Sequence, residues 1–471
     1  MSRPGESGST LLETKDAGRS PAPLTDGPIA RTLLVFSLPI LASNILQSLN
    51  TSINSAWIGQ LLGAKALTAA ANANALLFFL MSVSFGLSMA ATILIGQSLG
   101  ARNLDQTKRV MGTSTLFFLG LSIVVAVAGF IIAPGLLSSM RTPSDAAPLA
   151  VAYLRIIFLG IPPIFLLNFL MMALRGAGDS RTPFYFMLVA TVFDVSLNPV
   201  LIRGFGPVPP MGIAGSALAT TIAQWIGMAG LTGWMYWRRN ILCIEGSEMR
   251  HFIPDPVILR SLLVKGLPMG LQVVVVSTSM ILMISMVDRY GSTTVAAYGA
   301  CYQLWSYIQM PAFALGSAVT SMAAQSIGAG RWDRLGQVTQ TGVVYVVVFT
   351  TAFIGIVTLW EGQAFSLFLG DNPAAITIAR HMHLIASWSF IFFGVGFVLS
   401  GVVRATGAVV PPLVILIVAI WGIRLPAAWL LSVGGVDGIL WGFPLGSVAS
   451  MVMTALYYRF GRWRSAKMLA G

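Results

Sequence analysis

The chain has 471 residues, of which 56% are hydrophobic and only 9% are charged, and its mean hydropathy is +0.81. A soluble protein of this length would carry about a quarter charged residues, so the composition excludes a soluble enzyme or binding domain and indicates an integral membrane protein. The net charge of +12 would suggest nucleic-acid binding in a soluble domain, but membrane topology explains it here, and we expect no nucleic-acid partner.

The start of the chain differs in composition from the remainder. Residues 1–28 are rich in Ser, Gly, Pro, Thr and charge and lack the apolar core of a signal peptide, so we predict a disordered cytoplasmic tail. From Ile29 onward, apolar stretches long enough to cross a bilayer recur between short polar breaks. We predict twelve transmembrane helices, at approximately 31–55, 66–95, 112–134, 148–172, 183–203, 213–237, 263–288, 295–323, 339–361, 374–400, 410–432 and 438–459. The chain is thus expected to be an all-α protein that lies in the lipid bilayer.

Lysine and arginine are distributed unevenly between the two sides that this topology defines. The loops on the side of the N-terminus are rich in them and include Lys108, Arg109, Arg181, Arg250 and Arg404. The opposite loops and helix ends offer only Lys65, Arg141, Arg155, Arg203, Arg289 and Arg380. The positive-inside rule therefore predicts that both termini are cytoplasmic, in a multi-pass protein of the cell inner (plasma) membrane.

The two halves of the chain resemble each other. The polar segment 238–262 predicts a cytoplasmic linker between an N-terminal lobe, 29–237, and a C-terminal lobe, 263–460, followed by a cytoplasmic tail, 461–471. Three motifs recur with a shift of 228 or 229 residues and share Pro39/Pro268, Gln97/Gln325, Gly100/Gly328, Arg175/Arg404 and Gly178/Gly407. Two six-helix repeats with pseudo-two-fold symmetry are typical of transporters that work by alternating access. Because no cluster of catalytic or metal-binding groups is apparent, we expect a monomeric transporter without cofactor or metal, and not an enzyme.

The fifth predicted span carries a carboxylate near its middle, Asp194. A carboxylate at that depth is costly unless it is neutralised, paired or hydrated. Asn198 shares its helix face one turn later, and Pro199 removes a backbone donor and loosens the helix there. We interpret Asp194 as a proton- or cation-binding site. The alternative is a structural pair with a neighbouring helix.

Further polar and aromatic residues surround this position in the predicted bundle. They are interpreted as the lining of a hydrated substrate cavity, although a polar stripe can also hold neighbouring helices together. The residues are Asn44, Gln47, Thr51 and Asn54 on the first span, Asn72 on the second, Thr220 and Gln224 on the sixth, and Tyr298 and Tyr302 on the eighth. The two tyrosines offer aromatic faces that suit flat or cationic ligands.

Arg424, on the eleventh span, is the other charge that we predict to lie deep in the membrane. The neighbouring Pro426 would bend the helix. Arg424 is therefore expected either to bind carbonyl groups that the bend frees or to form a gating contact. We also expect Pro39 and Pro199 to have a structural or gating role.

The repeated motifs also resemble a known family. QSLGARNLDQTKRV (97–110), QSIGAGRWDRLGQV (325–338), RGAGDSRTP (175–183) and the D-x-x-L-N-P-V-L-I segment that begins at Asp194 are similar to motifs of the multidrug and toxic compound extrusion (MATE) transporters. The resemblance covers about residues 29–465. It implies the MATE fold and cation-coupled antiport of small amphipathic, often cationic drugs, and it is greatest to the proton-coupled, DNA-damage-inducible bacterial branch.

Three departures from the family pattern bear on the coupling ion. The order Asp194 then Asn198 is the reverse of that in the branch, Asn54 stands where many members have Asp, and the C-terminal lobe lacks the Glu and Asp of a second cation site. We therefore expect proton antiport through Asp194. Sodium, bound by oxygens of these three residues and Thr220, is an alternative. A lipid-linked oligosaccharide flippase of the same superfamily is another, and it would need a cationic cavity.

Overall fold

The computed structural model describes residues 24–139, 147–206, 209–370 and 372–469, and these are almost entirely helical. The N-terminal half contains α1 (Ile29–Leu62), α2 (Ala64–Gly100), α3 (Leu104–Ser139), α4a (Ala147–Leu159), α4b (Ile161–Ala177), α5 (Arg181–Arg203) and α6 (Gly212–Trp237). The C-terminal half contains α7 (Pro256–Val287), α8 (Ser292–Gly328), α9 (Trp332–Leu359), α10a (Glu361–Leu369), α10b (Pro373–Ala386), α10c (Ser389–Ala405), α11a (Val410–Ile417), a π-helical turn (Val418–Arg424), α11b (Leu425–Leu431) and α12 (Val436–Phe460). The prediction of an all-α membrane protein is confirmed.

Each predicted span corresponds to one of these numbered helices. Eight helices are long and apolar enough to cross a membrane, and the bent pairs α4a–α4b and α10b–α10c raise the number to ten within the described residues. The other two of the twelve predicted spans correspond to α6 and α8, which have 26 and 37 residues. At 1.5 Å per residue, both are long enough for a hydrocarbon core about 30 Å thick.

The two halves repeat the same irregular features at the predicted offset. The fourth helix bends by 51° between α4a and α4b, and the tenth bends by 45° between α10b and α10c. The turns that follow these helices each contain a left-handed glycine, Gly178 with φ +96° and Gly407 with φ +103°. Left-handed residues also follow α2 and α8, at Arg102 and Gly330. The backbone therefore carries the duplication that the motifs indicated.

The halves meet where α2 and α8 end, on the side of the molecule that also holds residues 24–29 and 460–469. We call this side the terminal face. There Gln97 Nε2 donates to the Ala405 carbonyl at 2.6 Å, and the repeat-related Gln325 Nε2 donates to the Gly176 carbonyl at 2.9 Å. Each glutamine thus reaches from its own half to the end of the broken helix in the other half.

The predicted tails differ from the structure where it describes them. Residues 1–23 lie outside the described part of the chain, but Leu24 is only 3% exposed, and its backbone N–H donates to Gln325 Oε1 at 3.0 Å. At the other end, Trp463 and Met468 are buried and the Met468 carbonyl accepts a hydrogen bond from Ser261. The prediction of a disordered tail is therefore wrong for residues 24–28. Composition alone did not reveal these buried apolar anchors.

Candidate functional site

Asp194 lies in the middle of α5 and is only 2% exposed. Its Oδ2 accepts hydrogen bonds from Asn50 Nδ2 at 2.9 Å and from Asn54 Nδ2 at 2.8 Å, and its Oδ1 accepts one from Thr220 Oγ1 at 3.0 Å. The carboxylate is thus stabilised by neutral donors from α1 and α6. These donors satisfy the carboxylate oxygens but carry no compensating positive charge.

Close packing of α5 against its neighbours brings these donors to the carboxylate. On one side of Asp194, a Cβ added at Gly215 would lie 2.3 Å from the Leu201 carbonyl oxygen. On the other side, a Cβ at Gly227 would lie 3.1 Å from the Ala190 Cβ. The two glycines of α6 therefore let the helices approach closely, which places Thr220 beside Asp194. Helix α1 packs against α5 as well.

Asn198 does not contribute as its position suggested. It is fully buried, but its Nδ2 donates to Asn54 Oδ1 at 3.1 Å, so it supports a neighbour of Asp194. The Oδ1 atoms of Asn50 and Asn198 have no hydrogen-bonding partner in the part of the chain that the structure describes. Two buried acceptor oxygens thus accompany the carboxylate. Together these oxygens could hold a proton or act as ligands of a cation.

Two residues near this site were not predicted from the sequence. Asn50 lies just beyond the edge of the polar stripe, yet it is four residues from Asn54, and that spacing places the two amides on one face of α1. Tyr153 on α4a donates to Asn74 Oδ1 at 3.5 Å and lies within electrostatic range of Asp194. The spacing of the two asparagines was the available signal for Asn50.

The other predicted cavity residues do not form one continuous lining. Gln47 and Thr51 are exposed, whereas Asn44, Asn72 and Gln224 are partly buried on α1, α2 and α6. Of the predicted prolines, Pro39 lies within α1, and Pro199 lies within α5, which continues as an α-helix to Arg203. The helix therefore passes Pro199 without breaking.

The C-terminal half contains a cavity of about 530 Å³ that reaches α2 of the other half. Its lining is mostly apolar and includes the aromatic and thioether side chains of Phe78, Phe85, Met89, Met280, Phe313, Phe393 and Phe397. Tyr302 lines this cavity. Tyr298 does not, because it is 1% exposed and packs edge-on against Trp305 with ring centroids 5.9 Å apart. Its assignment to the substrate cavity is wrong.

The deep positive charges also differ from the prediction. Arg404, assigned from sequence to a loop, is only 4% exposed and lines the cavity, so Arg424 is not alone. The guanidinium carbon of Arg424 lies 3.7 Å from the Phe443 ring centroid, and its Nη2 lies 3.8 Å from Met280 Sδ. The described contacts of Arg424 are thus with an aromatic ring and a thioether, where the sequence suggested freed carbonyl groups.

Comparison with known proteins places this architecture in a family. The MatE family model matches the chain twice, at residues 39–200 and 268–430. The chain is 37% identical over 433 residues to the probable multidrug resistance protein YoeA of Bacillus subtilis, and the match covers 91% of this chain and 93% of that protein. It is 35% identical to the probable multidrug resistance protein YpnP of the same organism, and that match covers 94% of this chain and 98% of that protein. A solved structure described as the outward-facing conformation of a multidrug resistance MATE family transporter shares the fold, with a TM-score of 0.87 at 20% identity, over 94% of this chain and 98% of that one. The chain therefore belongs to the MATE family of membrane transporters.

Proposed function

We propose that this chain exports amphipathic drugs by antiport and that protons are the coupling ion. The main observation that supports this proposal is the geometry of Asp194, a buried carboxylate that accepts three hydrogen bonds from α1 and α6. A proton on this carboxylate would turn one acceptor oxygen into a donor, which conflicts with the donor already facing it. Asn50 can resolve the conflict by turning its amide, since its Oδ1 has no other partner among the described residues. Protonation thereby changes the contact between α1 and α5, as a coupling step requires.

Sodium is the second candidate ion, and a specific observation favours it. The oxygens of Asp194, the unpartnered Oδ1 atoms of Asn50 and Asn198, and Thr220 Oγ1 are the hard ligands that such a cation prefers. Proton coupling is preferred because the site offers one carboxylate, which a single proton neutralises.

Amphipathic drugs fit the apolar character of the cavity and the names of the relatives. Most of the lining side chains are apolar and several are Phe or Met, and such adaptable surfaces suit varied hydrophobic molecules. For a cationic drug, Asp194 is the buried counter-charge, and binding there would compete with the proton. The flippase alternative would need a strongly cationic cavity, whereas Arg404 is the one charged side chain among the described residues that line this cavity.

The experiment that tests the proposal separates the two ions. Protein in proteoliposomes is given a fluorescent cationic dye and either a proton or a sodium gradient. We expect the proton gradient alone to drive export and Asp194→Asn to abolish it, because asparagine cannot exchange a proton between the two states. Asp437→Asn is the control, since that carboxylate is half exposed and pairs with His381 on α10b. Wild-type rates in Asp194→Asn at matched reconstitution would refute the mechanism, and export driven by sodium alone would identify the other ion.

We also propose that the terminal face is cytoplasmic, in the inner (plasma) membrane. The uneven distribution of lysine and arginine supports this orientation. Reporter fusions after Arg109 and Arg181 should report the cytoplasm, and a fusion after Lys65 the outside. Opposite signals at these three positions would invert the topology.

A further inference from the structure

We propose that the cavity of the C-terminal half is a subsite for the anionic end of an amphipathic molecule, and that Arg404 with Gln272 forms its receptor. The proposal rests on the export of amphipathic molecules and adds the chemical class of one ligand group, a carboxylate attached to an aromatic or aliphatic body. Both residues line the cavity and both are more than nine-tenths buried, with exposed fractions of 4% and 8%.

The two side chains together present donors without acceptors. Arg404 Nη1 donates to Gln272 Oε1 at 2.7 Å. An arginine can only donate, so the glutamine must turn its oxygen toward it and its NH₂ group away. Gln272 Nε2 and Arg404 Nε and Nη2 then have no partner among the described residues. Buried polar groups are nearly always hydrogen-bonded, so this cluster lacks an acceptor that an incoming ligand can supply.

The surroundings of the cluster select for a negative charge. The described residues that line the cavity include no Asp or Glu, so Arg404 has no carboxylate partner there. The guanidinium carbon lies 5.2 Å from the Phe397 ring centroid, so an aromatic ring, and not a carboxylate, lies beside the charge. Guanidinium groups bind carboxylates through charge-assisted hydrogen bonds, often two in parallel.

The remainder of the cavity fits an apolar body attached to that carboxylate. Its volume of about 530 Å³ lies within the range of drug-sized sites. Phe85 and Met89 of α2 complete the wall from the N-terminal half. A ligand held at Arg404 therefore contacts both halves, as a transported molecule must if it is to respond to their relative movement.

A binding experiment tests this subsite without any transport step. Full-length protein in lipid nanodiscs is titrated by equilibrium dialysis with three probes of similar shape: 2-naphthoate, 2-naphthamide and 2-naphthylmethylammonium. We expect naphthoate to bind about tenfold more tightly than either of the others, as a charge-assisted hydrogen bond to a buried group implies. Equal affinities for the three probes would overturn the proposal.

Two charge-matched variants locate the effect. Gln272→Glu provides an internal carboxylate for Arg404 and should abolish the preference for naphthoate. Gln309→Glu adds the same charge to the same cavity, but at a side chain that bonds to the Trp305 carbonyl, and it should keep most of the preference. Persistence of the preference in Gln272→Glu would overturn the assignment. If that variant does not fold, Arg404→Gln is used, with the thermal transition confirming the fold.

The outcome of the binding experiment does not depend on which ion drives export. Asp194→Asn should retain naphthoate binding even though it loses proton-driven export. If export proves not to be proton-coupled while the naphthoate preference holds, the antiport proposal fails and the subsite remains. If antiport holds and the three probes bind equally, the subsite alone is refuted.

Discussion

Asp194 and Arg404 give the two halves opposite buried charges at different kinds of site. Asp194 accepts hydrogen bonds from neutral donors, and the unpartnered atoms beside it are acceptors. Arg404 donates to a neutral amide, and the unpartnered atoms of that pair are donors. The two proposals therefore assign a cation to the N-terminal half and an anionic group to the C-terminal half. In this respect they predict a functionally asymmetric repeat.

The first prediction compares the two asparagines near Asp194. Asn50→Ala removes a donor to the charged carboxylate, an interaction worth about 1.5–3 kcal/mol, and should lower proton-driven transport about tenfold or more. Asn198→Ala removes only a bond to Asn54, worth about 1 kcal/mol, and should lower transport a few-fold. Initial rates in proteoliposomes at matched protein content measure both. A larger loss of transport in Asn198→Ala would show that the position of Asn198 one helical turn from Asp194, and not the hydrogen-bond geometry, identifies the important residue.

At the residue scale, the sequence predicted residues whose side chains are chemically unusual for a membrane span. It missed residues whose role depends on the direction in which a helix face turns or on how deeply the residue is buried. Asp194 stood out because a carboxylate inside an apolar span is costly, and Asn54 and Thr220 stood out as polar residues in such spans. Asn50 was missed because the exact face that α1 turns toward α5 depends on packing. Arg404 was misplaced because it lies near a helix end, and its burial beside Gln272 and Phe397 depends on tertiary packing.

At the element scale, the eleventh helix shows how a proline is accommodated inside a bundle. Pro426 has no N–H to donate, and its ring conflicts with the carbonyl four residues earlier. The π-helical turn Val418–Arg424 lies directly before α11b and contains that carbonyl, which belongs to Gly422. The sequence predicted a bend at Pro426, whereas the structure has a wider turn there within one span, Val410–Gly434. That turn needs space, and α12 provides it.

The second prediction concerns the glycine of α12 that lies against this turn. A Cβ at Gly446 would lie 2.7 Å from Arg424 Cβ and 3.3 Å from the Ala419 carbonyl oxygen. Gly446→Ala should therefore overpack the contact and destabilise the fold by about 1–3 kcal/mol. Gly355→Ala on α9 is the control, since a Cβ there has no described atom within 4 Å. A lower thermal transition in detergent is expected for Gly446→Ala alone, and equal transitions would mean that the π-helical turn yields without cost.

At the scale of the whole molecule, the duplicated architecture was predictable and the closure between the halves was not. The offset of the motifs indicated the repeat, because polar turns and glycines at helix ends are constrained by local backbone geometry. Alignment paired Gln97 with Gln325 and Gly100 with Gly328 as equivalents. The structure shows in addition that Gly100 approaches Gln325 and Gly328 approaches Gln97 across the terminal face, which no comparison of one half with the other reveals.

The last prediction tests that closure. A Cβ at Gly100 would lie 2.1 Å from the Gln325 carbonyl oxygen, and a Cβ at Gly328 would lie 2.0 Å from the Gln97 carbonyl oxygen. Both conflicts are with backbone of the opposite half, so alanine at either position should separate the halves at the terminal face. Overpacking of about 1–3 kcal/mol would change the ratio of closed to open molecules by about 5–150-fold.

Spin labels at Arg181→Cys and Gln337→Cys, both exposed on the terminal face, report the separation by double electron–electron resonance. Both native cysteines, Cys243 and Cys301, are buried, which limits their labelling. We expect a longer distance and slower export in Gly100→Ala and Gly328→Ala, because a transporter that cannot close this face cannot hold its cavity open only on the other. Gly120→Ala on α3, where an added Cβ has no described atom within 4 Å, should leave both measurements unchanged. An unchanged distance in both interface variants would show that the close approach of these glycines does not hold the halves together.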